Sequence, residues 1–479
     1  MKEVKGEVAQ VDFSTMDEAT AKLYRLKGRP KFSLAVPIAL QHLLAMFAGN
    51  IAPVLIITGA LGLVGSWQQR VMLSAVMFAA GVATLVNCYP IKLGKRVQIG
   101  SGLPVVMGTA MTFVAPMLLV VNWARDNGFE NPVGVLMGAL IIAAFAEMII
   151  GLFYRYLKPF FPPLVIGCTL VSLGISLLPV GVNYLAGGQP LGGANPGYAT
   201  VPNLLLGFGV FFFNMFLQRF GTGMWKVSSI LISLIVGYLV AIPMGLIDFA
   251  AVSSAAVFSP PIPWQLQPEF HVQPIIMLLT IFLVSGLSTI GYTNAMTSNV
   301  LGREAKVKET AGAIFNDSLS SVFGACFNAL PSTEFGQNSG IVILTKICNK
   351  WCIALTAIAM IVASFFPQLA AVLGAVPQPV LGGAVLAVFA MILTNGVIMI
   401  SKSGFTPRNV VMLTIIFGIG LGFAGAGPDH AHLIRNFPGW LQFIVKDRIT
   451  LISLVAVLTN ILFMQKTEWQ GLKERFKEE

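Results

Sequence analysis

Charge is what this chain has least of: of 479 residues only 10% are Asp, Glu, Lys or Arg, against 56% apolar. A soluble globular chain carries about 25% charged residues, so that class is excluded and a polytopic membrane protein is the reading. The five cysteines, Cys88, Cys168, Cys326, Cys348 and Cys352, form no CxxC pair and lie in or beside apolar spans, so they read as packing and give no disulfide framework or thiolate metal site. No nucleophile–base spacing and no cofactor loop supports an enzyme, and no cofactor is implied. The first 30 or so residues lack the apolar core of a cleaved signal peptide, so the first span is expected to anchor the chain itself.

The net charge of +10 raises the question of nucleic acid, and the placement of the 30 Lys and Arg residues answers it. With a cytoplasmic N-terminus and fourteen crossings, all of them fall on inside segments except Arg70, Arg125, Arg435, Lys446 and Arg448. That asymmetry is the positive-inside rule of a bilayer protein with both termini cytoplasmic, and no nucleic-acid partner is expected. The expected location is the plasma (inner) membrane.

Apolar runs long enough to cross a bilayer divide the chain into a tail, 1–32; a first half, 33–248; an outside linker, 249–272; a second half, 273–465; and a tail, 466–479. Spans are expected near 33–62, before Tyr89, and over 109–121, 132–153, 161–179, 202–218 and 227–247; then over 273–294, 311–328, 338–348, 351–374, 379–399, 407–424 and 447–464. Trp469, Leu472 and Phe476 in the last tail have either an interfacial or a merely solvated place.

Two stretches do not fit plain spanning helices. Gly100-Ser-Gly-Leu-Pro-Val-Val-Met-Gly108 is too Gly-rich and extended, and Leu330–Lys346 sets Pro331, Gly336 and Gly340 beside Glu334, Gln337 and Asn338. Irregular backbone at membrane depth survives only where it is buried in protein or lines a cavity. The interval from the start of each half to its break is similar, and seven spans per half put the second half in the membrane upside down. Interrupted segments at matching positions of inverted repeats are where a transporter's site is expected.

At Gln337-Asn338-Ser339-Gly340, followed by Thr345-Lys346, the chain resembles the nucleobase–ascorbate transporter family, whose motif is Gln or Glu, Asn, any residue, Gly, four residues, Thr, then Arg or Lys. Gln41-His42, Gly100–Gly108, Phe161-Pro-Pro and Pro379-Val-Leu-Gly-Gly-Ala384 extend the resemblance over nearly the whole membrane region. It implies an all-α fold of about fourteen spans as two inverted seven-span repeats, two broken spans carrying short strands, a core domain working against a gate domain, and a homodimer. It also implies a nucleobase held between the breaks, with Gln at 337 suited to a purine of the xanthine/urate type, since a carboxamide offers a ring edge both donors and an acceptor. The implied substrate-binding residues are Gln337, Asn338, Ser288, Glu334, Gly336, Thr109 and Ala110. Those implied to organise the site or couple transport, most readily to H⁺, are Asp317, His42, Gln41, Glu147 and Tyr292.

One departure stands out. Where the family's eighth span carries a Glu followed four residues later by a polar or acidic side chain, this chain has Ser288 and Tyr292. Glu334 either supplies the missing carboxylate from the other wall or stands at a water-exposed mouth. Coupling then rests on Glu334, Asp317 or His42, uses Na⁺, or is absent. Asp317 either orients the break or carries a proton; His42 either orders the cavity or titrates; Glu147 has an ion pair or helix contact as its plain alternative. Lys226 and Lys346 read as membrane-surface anchors, and His430/His432 beside Asp429 form only a weak metal pair. The competing readings are an anion channel or exchanger of the related sulfate-permease architecture, and a permease for uracil or another heterocycle.

Overall fold

The computed structural model describes residues 17–464 apart from 95–96, 158–159, 161, 189–196, 222–224, 226–228, 248–256, 425–436, 438–444 and 446–447. Lys226, Asp429, His430, His432, Trp469, Leu472 and Phe476 therefore lie outside the described residues. The remainder is mainly helical. The first half holds α1 (Phe32–Ala60), α2 (Trp67–Cys88), α3 (Val114–Asp126), α4 (Pro132–Ala143), α5 (Phe145–Leu157), α6 (Pro163–Leu185), α7 (Val201–Phe220) and α8 (Ser229–Ala241). The second holds α9 (Val272–Leu301), α10 (Val307–Cys326), α11 (Gly336–Thr345), α12 (Lys350–Ser364), α13 (Pro367–Gly374), α14 (Gln378–Lys402), α15 (Pro407–Ala424) and α16 (Arg448–Leu462). Four strands accompany them: β1 (Ile91–Leu93), β2 (Val97–Ile99), β3 (Met107–Thr109) and β4 (Ser332–Glu334).

Six described helices are long and apolar enough to cross a membrane: α2, the α4–α5 pair as Pro132–Phe153, α6, α7, α9 and α14. Shorter apolar helices fill α1, α8, α12, α15 and α16.

Several boundaries differ from the hydropathy reading. The run 351–374 divides into α12 and α13 at Pro367, and 132–153 divides at Ala144, because hydropathy records burial in lipid and not helix continuity. After Tyr89, β1 and β2 pair antiparallel, with Ile91 opposite Ile99. The first break reaches Thr109, and a 3₁₀ turn over Met111–Phe113 separates it from α3, so the helix begins at Val114 and not at 109.

The packing follows from small residues where helices must touch. Between α6 and α14, a Cβ on Gly396 would stand 2.7 Å from both the Gly167 carbonyl oxygen and the Val171 nitrogen. Close backbone approach at glycine is how helices associate where lipid offers no hydrophobic drive. The largest core cluster joins α1, α2, α3, α4 and α9, with Phe113 and Phe282 packed edge to face at 4.6 Å. At Gly100, φ is +99° and a Cβ would stand 2.2 Å from the Val86 carbonyl oxygen, so the chain can leave α2 and double back only with glycine there.

Candidate functional site

The two breaks meet. Strands β3 and β4 pair antiparallel, Met107 opposite Glu334, Gly108 opposite Thr333 and Thr109 opposite Ser332. The ladder continues through Ala110 N–H to the Pro331 carbonyl (3.0 Å) and Phe335 N–H to the Val106 carbonyl (2.9 Å). Such a short ribbon leaves unpaired backbone edges, which lipid would not satisfy. Side chains of the surrounding helices satisfy them. The Thr84 hydroxyl accepts from Met107 N–H (2.9 Å) and lies 3.4 Å from the Met107 carbonyl. On the other strand the Ser321 hydroxyl accepts from Ser332 N–H (3.1 Å) and donates to the Ser332 carbonyl (3.2 Å). Asn50 Oδ1 accepts from both the Thr109 amide (2.7 Å) and the Thr109 hydroxyl (2.6 Å), while its Nδ2 donates to the Val76 carbonyl (3.2 Å).

A cavity of about 230 Å³ opens at the end of this ribbon, lined by Thr109, Ala110, Met111 and Thr112 from the first break and by Thr333, Glu334, Phe335 and Gly336 from the second. Ser285, Ser288 and Tyr292 of α9, Leu170 of α6 and a face of α14 that includes Met391 and Asn395 complete it. Both half-helices thus begin at the cavity wall. The N-cap of α11, Phe335, supplies no side-chain cap, so the first N–H groups of that helix are left for whatever occupies the cavity. The Phe335 ring is seated against Gly49 and Gly108, where a Cβ would stand 2.2 Å and 2.9 Å from it. Tyr292 lies against Gly336, 3.1 Å from a Cβ built there.

Glu334 is 2% exposed, so the water-exposed mouth is excluded. Its Oε1 accepts from the Thr293 hydroxyl at 3.1 Å, and its Oε2 is buried without a protein partner. Asp317 is fully buried and lies behind the ribbon: its Oδ2 accepts from Thr289 Oγ1 and from Thr333 Oγ1, the latter at 2.9 Å. The Asp317 carboxylate therefore holds β4 to α9. Glu147 is also fully buried, on α5, one turn past the break at Ala144. The Ser318 hydroxyl donates to the Ala144 carbonyl at 2.8 Å and so fixes that break against α10. Neither Asp317 nor Glu147 lines the cavity.

Asn338, expected to touch substrate, points elsewhere. Its Nδ2 donates to the His42 carbonyl (2.9 Å) and meets His42 Nδ1 (3.1 Å), so it clamps α11 to α1 and makes Nδ1 the acceptor of a buried imidazole. His42 thereby has a structural partner, and Gln41 is half-buried beside it. Gln337 sits on the first turn of α11, and its side chain lies outside those described. Lys346 Nζ donates to the Asn299 carbonyl at 2.5 Å, tying the end of α11 to α9. Among the described residues no three His, Cys, Asp or Glu side chains converge as a metal ion would require.

The residues missed by sequence reading are those that hold the ribbon: Asn50, Thr84, Ser321, Thr289, Thr293 and Thr333. One signal was available. Ser285, Thr289, Thr293 and Thr297 recur every fourth position of α9, and all four are buried.

A family model described as "Permease family" matches residues 34–426, most of the chain. The chain belongs to the nucleobase–ascorbate transporter family. The permease is 33% identical over 437 residues to the xanthine permease of Bacillus subtilis (strain 168), covering 91% of this chain and 95% of that protein. It is 32% identical over 429 residues to the uric acid permease PucJ of the same organism, covering 89% and 92%. Among solved structures, the transmembrane domain of the cyanobacterial bicarbonate transporter BicA has a TM-score of 0.54 at 14% identity, over 89% of this chain and 97% of that one. Murine Slc26a9 in the inward-facing state has a TM-score of 0.61 at 11% identity, over 93% and 71%. At those identities the likeness is one of fold. The permease is a multi-pass membrane transporter and not an enzyme.

Proposed function

We propose that this permease takes up a purine nucleobase of the xanthine/urate type by proton symport, with the base held at the end of the β3–β4 ribbon. The observation that carries the reading is the cavity at which two half-helix starts, the Glu334 carboxylate, Ser288 and Tyr292 meet. A flat heterocycle with both N–H and C=O edges has complementary partners there: backbone N–H groups at the start of α11 for its carbonyls, and a carboxylate for its ring N–H. The relatives named for xanthine and uric acid favour the same class. A carboxylate at the cavity works against an inorganic anion as cargo.

In this reading the two halves are inverted seven-span repeats, with both termini cytoplasmic, in the plasma membrane. The parallel roles of Thr84 on Met107 and Ser321 on Ser332 support the repeat: in each half a hydroxyl of the helix before the break accepts the N–H of one strand residue. The core holds the breaks, the gate contributes α14, and the protein works as a homodimer. Glu334 takes the place of the eighth-span carboxylate that Ser288 lacks. A panel of unlabelled bases competed against radiolabelled xanthine and uracil in transporter-deficient cells tests the assignment: xanthine and urate are expected to compete best. Failure of every base to bind or be transported overturns it.

A further inference from the structure

Two sets of helices meet around the cavity, and one end of the seam between them is fastened. Helix α1 is tied to the breaks: its Asn50 accepts from Thr109, and its His42 carbonyl accepts from Asn338. Helices α6 and α14 are joined to each other, since a Cβ on Gly382 would stand 1.9 Å from the Leu185 nitrogen, and Gly396 repeats the close approach further along. Across the seam, the Tyr184 hydroxyl near the end of α6 donates to the Ile56 carbonyl near the end of α1, and both residues are buried. Gln378, the first residue of α14, lies against the same contact. A Cβ on Gly59 would stand 2.8 Å from Tyr184 Oη and 3.2 Å from Gln378 Nε2, and one on Gly188 would stand 1.2 Å from Gln378 Oε1. Glycine at 59 and 188 is what admits the two side chains.

The apolar packing is lopsided in the same sense. At this end Ile56 and Ile57 of α1 share one buried cluster with Tyr184 of α6 and with Leu381 and Val385 of α14. At the opposite end, Leu164 of α6 and Ile400 of α14 pack with Met412 of α15 and Ile452 of α16, and among the described residues nothing from α1–α5 or α9–α13 joins that cluster. Leu103, Met296 and Val342 form a separate one there. The seam is therefore continuous at one end and divided at the other.

The Ile56 carbonyl already serves α1 as a helical acceptor, and its second lone pair takes the phenol, so the contact can be lost without unwinding the helix. A buried phenol stripped of its acceptor is unfavourable until water reaches it. The hydrogen bond and the apolar seam around it thus part together, as a two-state element does.

We propose that Tyr184, seated by Gly59 and Gln378, is the outer latch of this permease: its hydroxyl on Ile56 holds the cavity closed to the outside, and the cavity opens outward when that bond and the surrounding seam release. The inference rests on the transport reading, in which α1 belongs to the core, α6 and α14 belong to the gate, and the ends of α1 and α6 face outward. Tyr184 does not line the cavity, so it governs access and not substrate contact.

Sided labelling of a cysteine on the cavity wall is the test. Thr112→Cys is the reporter, and the protein without it is the blank for the native cysteines. A membrane-impermeant maleimide is applied to intact cells and, separately, to inverted vesicles. Tyr184→Phe keeps the ring and removes the hydroxyl. One net hydrogen bond biases a two-state equilibrium by roughly two- to tenfold, so labelling from outside is expected to quicken by that factor while labelling from inside does not. Gly59→Ala sets a methyl against Tyr184 Oη and is expected to act in the same direction, whereas Gly209→Ala, with nothing within 4 Å, is expected to change neither side. Outside labelling that stays at the parent's rate in Tyr184→Phe and Gly59→Ala, or that quickens equally from both sides, overturns the latch. Should one of these two variants fail to fold, the other decides. Labelling needs no substrate, so a parent that transports no base defeats the purine reading alone.

Discussion

At the scale of single residues, burial decides the roles that sequence reading leaves open. Glu334 and Asp317 are both buried acids near one strand, yet only Glu334 lines the cavity, while Asp317 is taken up by two hydroxyls of its own fold. Glu334→Gln keeps the size of the side chain and its bond from Thr293, and removes the charge that faces the ligand. A hydrogen bond to a charged group contributes about 1.5–3 kcal/mol, so apparent affinity for the transported base is expected to fall roughly tenfold or more. Uptake by this variant that matches the parent at several pH values refutes the replacement of the eighth-span carboxylate. Asn338 teaches the converse. Its place in a motif that resembles a substrate-binding family suggested ligand contact, whereas its amide nitrogen is spent on His42, because a half-helix in the bilayer must be fastened to its neighbours before it can hold anything.

The element scale is where the breaks acquire meaning. Each of β3 and β4 alone would be a few unpaired peptide groups in hydrocarbon; together, edged by Thr84, Ser321 and Asn50, they are satisfied. The irregularity of both segments is legible from Gly and Pro, but their pairing is not, since nothing in a three-residue strand names a partner far along the chain. The α6–α14 contact is a second case. Gly396→Ala places a methyl 2.7 Å from the Gly167 carbonyl oxygen, and overpacking of this kind costs about 1–3 kcal/mol. Gly418, with nothing within 4 Å, is the control. Thermal unfolding in detergent is expected to shift down for Gly396→Ala and not for Gly418→Ala; equal shifts in both contradict the close-contact account.

At the scale of the whole molecule, the segment before α1 is fastened to the second half. The Asn349 side chain, just before α12, donates to the carbonyls of Lys22 (2.8 Å) and Arg25 (3.1 Å), Cys348 N–H donates to the Leu23 carbonyl (3.1 Å), and the Arg29 guanidinium lies 4.8 Å above the Trp351 ring. This ties the start of the chain to the end of α11, the helix that begins at the cavity. Asn349→Ala leaves those carbonyls without their donor at a cost of about 1–3 kcal/mol, and amide hydrogen exchange over residues 22–29 is expected to quicken about tenfold. Exchange unchanged there, with Asn349 removed, shows that the segment is held by its apolar contacts alone.

What the sequence determined by itself is what depends on composition and local pattern. Few charges and long apolar runs require a bilayer, and Gly100–Gly108 and Leu330–Lys346 cannot run as plain spanning helices. The motif residues and the missing eighth-span Glu are likewise open to reading. Only the tertiary structure decided which polar groups face the cavity and which hold it up. Thr109 lends its hydroxyl to Asn50, Asn338 lends its amide to His42, and Glu334 keeps one oxygen unspent, all through contacts between residues distant in sequence. The physical reason is that a polar group at membrane depth is costly without a partner, and the supply of partners is set by which helices pass nearby. The broken stretch at Leu330–Lys346 lines a cavity because β3 pairs with one of its edges and α9 passes the other, bringing Ser288 and Tyr292 to the same space.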